Sequence, residues 1–98
     1  MNKHSFYTLC KIDKKVTAIL VKGSYDHRLN FYFYKKGSCW YSVCPLTGLS
    51  LASGRTKSEC VEETENWISL YRNMINLPAF NQKVQRFNKA ITIASATR

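Results

Sequence analysis

Ninety-eight residues, 45% of them apolar and 21% charged, make one ordinary folded domain, long enough to hide roughly two thirds of its unfolded surface without disulfides or metal. This composition argues against disorder, the length leaves no room for a second domain, and the longest apolar run, Ala18–Val21, is far short of the roughly 20 residues that cross a bilayer. Fifteen Lys and Arg against six Asp and Glu leave a net charge of +9, a field that draws phosphate backbones or acidic protein faces.

Residues 6–12 and 16–22 are rich in β-branched and aromatic types and flank the polar Asp13-Lys14-Lys15, a pattern that predicts a hairpin. A looser connection over 23–28 leads to a second pair of strands, 29–34 and 39–44. Their joint is Lys35-Lys36-Gly37-Ser38, where Gly37 can take the positive φ of a tight turn. Pro45 offers no ladder donor and ends the fourth strand, while Leu49-Ser50-Leu51-Ala52 can add a short fifth. Thr56-Lys57-Ser58-Glu59 fits a capping box, in which the Thr56 oxygen accepts from the Glu59 amide and the glutamate reaches back to the Thr56 amide.

A helix over about 57–75 follows, with Cys60, Thr64, Trp67, Ile68, Tyr71, Met74 and Ile75 recurring at spacings of three and four as a core-facing stripe. Asn76-Leu77-Pro78 interrupts it. A second helix over about 79–94 carries the stripe Phe80, Val84, Phe87, Ile91 and Ala94, with fraying expected over Ser95–Arg98. Strands first and helices after, without alternation, define an α+β class: an antiparallel four- to five-stranded meander sheet with two C-terminal helices packed on one face, in a single domain over 1–98.

The residue types that carry chemistry are scattered. His4, Cys10, His27, Cys39, Cys44 and Cys60 show no paired ligand spacing, so no metal site is expected. Met1-Asn2-Lys3-His4-Ser5 leads into no apolar block or small-residue cleavage site, and the expectation is a cytoplasmic chain with reduced thiols. The glycine spacing of a phosphate or dinucleotide loop is missing, and neither histidine sits at a spacing that implies contact with a cysteine or an acid. The reading is a non-enzymatic protein with no catalytic residue and no cofactor. Glu59, Glu62 and Glu63 suit the positive end of the first helix dipole, a structural role that needs no ligand.

Charge is uneven along the chain. Residues 1–57 carry ten bases and two acids, 58–75 carry four glutamates and one arginine, and 76–98 carry four bases and no acid. In the basic half, Phe31-Tyr32-Phe33-Tyr34-Lys35-Lys36 alternates across a strand. Phe31 and Phe33 would then face the helices, while Tyr32, Tyr34 and Lys36 share the open face with Trp40 or Ser42 across the hairpin.

Exposed aromatics beside cations suit single-stranded nucleic acid, with bases stacking on rings while lysines follow phosphates. The same patch suits the hot spots of a protein partner, and strand tyrosines also satisfy β-propensity alone. The candidate residues are Lys14, Lys15, Lys22, Arg28, Lys35, Lys36, Arg55 and Lys57 for phosphates, with Tyr32 and Tyr34 for stacking. If about five phosphates on duplex DNA are neutralised, log K falls against log salt with a slope of about −4.5.

The expected partner is therefore nucleic acid or a nucleoprotein complex, with no membrane involved. The alternative is a protein-binding inhibitor or adaptor of the kind phages and mobile elements encode against host defence, anchored by the aromatics and steered by the basic rim toward an acidic protein surface. A homodimer through an edge strand or the second helix is compatible with either.

Tyr41-Ser42-Val43-Cys44-Pro45, Gly48, Gly54-Arg55-Thr56 and Glu59-Cys60 resemble the strand, turn and helix start of HicB-like antitoxin domains and other small prophage α/β proteins. The likeness is confined to residues 41–60. The chain departs from that pattern by placing two predicted strands in front and no separate DNA-binding module behind, and no function is carried over from it.

Overall fold

The computed structural model describes residues 3–96. Five strands, β1 (His4–Ile12), β2 (Lys15–Asp26), β3 (Phe31–Lys36), β4 (Cys39–Val43) and β5 (Ser50–Gly54), precede two helices, α1 (Lys57–Met74) and α2 (Pro78–Ala96). The strands form one sheet in the order β1-β2-β3-β4-β5, every neighbouring pair antiparallel. This is the α+β meander expected from the order of strand and helix patterns.

Both outer hairpins turn on two residues. Ile12 pairs with Lys15 around Asp13 and Lys14, both left-handed at φ 50° and 67°, the twist that matches flanking strands in a tight hairpin. Lys36 pairs with Cys39 around Gly37, at φ 63°, and Ser38.

The connection expected over 23–28 is mostly strand. β2 runs on to Asp26, pairing with β1 as far as Gly23 and with β3 from Ser24. Gly23 sits where the strand changes partners, and a Cβ there would collide with the Phe33 carbonyl oxygen; the close backbone approach is what needs glycine. The turn itself is shorter. The Asp26 carboxylate accepts from the amides of Arg28 and Leu29 at 2.9 and 3.0 Å, an Asx turn that satisfies both donors locally, and Asn30 is left-handed at φ 60°. Leu29, expected to open β3, lies in this turn with its side chain buried.

The segment between β4 and β5 folds back onto β1. The Gly48 carbonyl accepts from the Leu9 amide at 2.9 Å and from Thr8 Oγ1 at 3.0 Å, so part of the outer edge of β1 is already paired within the chain, and edge-to-edge pairing there has fewer free donors to use.

Thr56 caps α1, its hydroxyl accepting from the Glu59 amide at 3.1 Å, while the Glu59 carboxylate accepts from the Arg55 amide at 3.0 Å. The helix buries Cys60 and Thr64 and packs Val61, Ile68 and Tyr71 onto the core. Trp67, Met74 and Ile75, expected in the core stripe, are exposed. The sequence stripe is wider than the contact: α1 sits over the β4–β5 end of the sheet, and the buried arc centres on Thr64, leaving one flank of the helix in water. α2 begins at Pro78, where a missing donor costs nothing, and buries Phe80 and Phe87. It stays helical through Ser95 and Ala96, where fraying was expected; Thr97 and Arg98 lie outside the described residues.

Phe31 and Phe33 are the centre of the core, with Leu29, Cys44, Cys60 and Phe80. Among the described residues no helix is long and apolar enough to cross a membrane.

Candidate functional site

Strand parity decides what the sheet offers. On β3, Phe31 and Phe33 point into the helix-covered core with 0% and 1% of their surface exposed, and Tyr32 and Tyr34 take the opposite face, half-buried. The residues across the hairpin are not Trp40 or Ser42. With only two residues in the turn, Tyr34 pairs with Tyr41 and Tyr32 with Val43, while Trp40 and Ser42 pair with Lys35 and Phe33 on the helix side.

The open face is a continuous aromatic surface drawn from four strands. Phe6 of β1 reaches across Gly23 and stacks on Tyr32, with centroids 4.2 Å apart and planes at 11°, and it meets Tyr34 edge-on at 5.9 Å. Tyr25 lies 4.8 Å from Tyr32 and 4.9 Å from His27. Tyr34 and Tyr41 are 5.8 Å apart, tilted by 35°. Glycine on β2 is what lets Phe6 lean over that strand, because no side chain stands between the rings. Burial, with Cys10 and Tyr41 nearby, raises the Tyr34 hydroxyl above its ordinary range, so at neutral pH it keeps its proton and can donate. Phe6 takes one face of the Tyr32 ring, which leaves Tyr34 and Tyr41 as the better placed pair for an incoming ring.

The cations divide into groups. Because β2 and β3 are antiparallel, the β1–β2 and β3–β4 turns lie at the same end of the sheet, bringing Lys14, Lys15, Lys35 and Lys36 to that end. Arg55 joins them, since it follows Gly54, which pairs with Trp40 there. Lys36 lies on the tyrosine face, its ammonium 3.9 Å from Cys10 Sγ. Lys57 lies over the Trp40 ring at 5.9 Å on the helix side. Lys22 pairs with Ser5 further down β2, away from the two turns.

Arg28 stands at the opposite end, bound to Glu65 of α1 at 3.0 Å. That contact raises the guanidinium and holds the Glu65 carboxyl below the usual range. As an exposed pair it adds little to stability, but it occupies the arginine.

Among the described residues no acid shares the tyrosine face. Asp26 has the helix-side parity and is engaged by the Arg28 and Leu29 amides, Asp13 is in the turn, and Glu59, Glu62, Glu63 and Glu65 ride on α1.

Elsewhere the groups that could support catalysis lie apart. His4 and His27 line a hollow of about 270 Å³ with Ser24, Tyr25, Asp26, Phe33 and Lys57, and no cysteine is among its described walls. All four cysteines are free thiols; burial pushes the Cys60 thiol up, and Cys44 Sγ lies 2.9 Å from the Tyr71 hydroxyl. Among the described residues no three His, Cys, Asp or Glu side chains come close enough to hold a metal ion.

Phe6, Tyr25 and Tyr41 are parts of the aromatic surface that sequence reasoning did not single out. Tyr41 was within reach of it, since a two-residue turn at 37–38 fixes every cross-strand pair of that hairpin. Phe6 and Tyr25 depend on where β2 changes partners, which in the sequence only the isolated Gly23 marks. Comparison of the chain with protein families, with curated proteins and with solved structures gives no match.

Proposed function

We propose that this chain binds single-stranded nucleic acid on the helix-free face of its sheet, with Tyr34 and Tyr41 as the stacking surface and Lys36 along the phosphates, while Lys14, Lys15 and Lys35 add their charge from the turns at the same end of the sheet. One observation carries the reading: a half-buried tyrosine face that holds no acid among the described residues, next to the lysine-rich end of the sheet, while the glutamates sit on α1. Bases of any identity have a π-face to stack, and cations nearby track the backbone, so such a face binds strands with little sequence preference. Duplex fits less well, because its bases are already stacked and cannot reach the rings. A protein partner anchored on the same rings is the second reading, favoured by the enrichment of tyrosine in interface hot spots.

Fluorescence anisotropy with labelled single-stranded and duplex oligonucleotides at several salt concentrations tests the proposal. About four phosphate contacts give a log K against log salt slope of about −2.8 for a single strand. Tyr34→Leu keeps an apolar body over the sheet and removes the ring, and is expected to weaken binding by about 1–3 kcal/mol. Absence of binding at low salt to every strand tried, or Tyr34→Leu and Lys36→Ala both binding like the parent, would remove this reading. Capture of a stoichiometric protein from nuclease-treated lysate that Tyr34→Leu loses would move it to the second.

A further inference from the structure

α2 does not lie flush on the β1–β2 ribbon. Between them runs an open trough of about 780 Å³ floored by Val16, Ala18 and Leu20 on one side and Ala90 and Ile93 on the other, with Lys15, Arg86 and Lys89 along its rims. Val16, Leu20 and Ile93 are 65%, 44% and 57% exposed, and no acid among the described residues lines the trough. A small amphiphile gains from such a site only where its tail is enclosed; an open trough suits an occupant that brings an apolar surface of its own and leaves the other side in water.

The same chain carries such a surface. On the exposed flank of α1 beside its buried arc, Glu59, Glu63, Trp67, Leu70 and Met74 repeat at intervals of four, four, three and four, one continuous ridge. Trp67, Leu70 and Met74 are 47%, 53% and 38% exposed, and Glu63 holds the Trp67 indole through a 3.0 Å bond to Nε1. The ridge is apolar with an acidic leading end; the trough is apolar with a basic rim. From Glu63 to Met74 the ridge is about 17 Å long at 1.5 Å per residue, and the β2 wall from Lys15 to Leu20 spans about 17 Å at 3.3 Å per residue.

We propose that copies of this chain associate by seating the α1 ridge of one in the α2–β2 trough of the next, with Trp67 and Leu70 against Val16, Leu20 and Ile93 and Glu63 against Arg86 and Lys89. Donor and acceptor surfaces are different, so the contact is heterologous, and each added copy leaves one ridge and one trough free unless the rotation closes a ring. The net charge of +9 per chain opposes assembly at low ionic strength; the contact is therefore expected to strengthen from low to moderate salt as that repulsion is screened within about a Debye length of 8–10 Å, before high salt weakens the ion pairs.

Sedimentation velocity of the nuclease-treated full chain over a range of concentrations tests this, with tryptophan emission, to which Trp67 and Trp40 both contribute, as a second signal. The expected result is a mass rising above the 11.3 kDa of one chain together with a blue shift of emission. Glu63→Lys and Lys89→Glu each alter exposed positions, so both variants should fold by circular dichroism, and each is expected to weaken association about tenfold or more by placing like charges together. In an equal mixture the two variants offer each other opposite charges again. The Glu63→Lys ridge meets the Lys89→Glu trough with both signs reversed, the Lys89→Glu ridge meets the Glu63→Lys trough as in the parent, and association returns. A monomer at every concentration and salt, association undiminished in both variants, or no recovery on mixing overturns the proposal. So does a monomeric parent whose oligonucleotide binding falls in Lys89→Glu, which would give the trough to phosphates. None of these outcomes depends on whether the tyrosine face binds nucleic acid.

Discussion

The two faces of β3 are built from neighbouring residues under different rules. Phe31 and Phe33, on the helix side, are sealed from water, and the core around them offers hydroxyls only where a partner exists, as at Thr64, whose hydroxyl donates to the Cys60 carbonyl at 2.7 Å. Tyr32 and Tyr34, one residue out of phase, pack their rings against Phe6 and Tyr41 yet remain partly in solvent. A buried face selects for shape and for polar groups that are all satisfied. An open one can hold large rings provided their polar ends stay wet. The first face is sealed at both phenylalanines; the second buries Phe6 and Val43 as well, yet keeps its tyrosine rings partly in water.

That contrast can be broken by substitution. Phe31→Ala, at the centre of the core, is expected to cost about 3–5 kcal/mol in denaturant unfolding, whereas Tyr34→Leu should stay within about 1.5 kcal/mol; equal costs would make both faces a single core. Gly23→Ala is expected to cost about 1–3 kcal/mol, because the added methyl meets the Phe33 carbonyl rather than a movable side chain. It should also disturb Phe6 over Tyr32, seen as a change in near-ultraviolet circular dichroism, since this glycine serves both faces.

The pH dependence sharpens the comparison on the covered side. Burial raises the Tyr71 hydroxyl, and the neighbouring Cys44 adds to the shift. The folded chain therefore keeps a proton that the unfolded chain gives up, and the associated stability, complete below pH about 10, is lost as pH rises above it, by up to about 1.4 kcal/mol per pH unit. Tyr71→Phe is expected to flatten this alkaline limb in thermal melts. The smallest effect on stability is expected from Lys36→Ala, within about 0.5 kcal/mol of the parent, and on the proposed function it should lower the magnitude of the salt slope for a single strand by about 0.7.

Much of the architecture is carried by local pattern. The two hairpins, the Thr56 cap and the Pro78 break each follow from a few adjacent residues, and the meander follows from their order. The trough and the ridge are different in kind. Trp67 and Met74 fit a core-facing stripe by spacing alone, and their exposure is set by how far α1 rotates on β4 and β5, a choice made by Val61 and Ile68 packing on the core. The cation set is similar: Lys36 and Arg28 look alike as isolated bases in a basic half, and only the packing of α1 beside the 27–30 turn pairs one of them with Glu65.

The amino-acid order alone determined which residues become strands and helices and which β3 side chains share a face, because those depend on backbone geometry repeating every two or 3.6 residues. Which rings meet across β2, which charges are neutralised and which helix flank is left in water were decided by tertiary packing, since each depends on contacts between segments tens of residues apart whose relative placement no local period encodes.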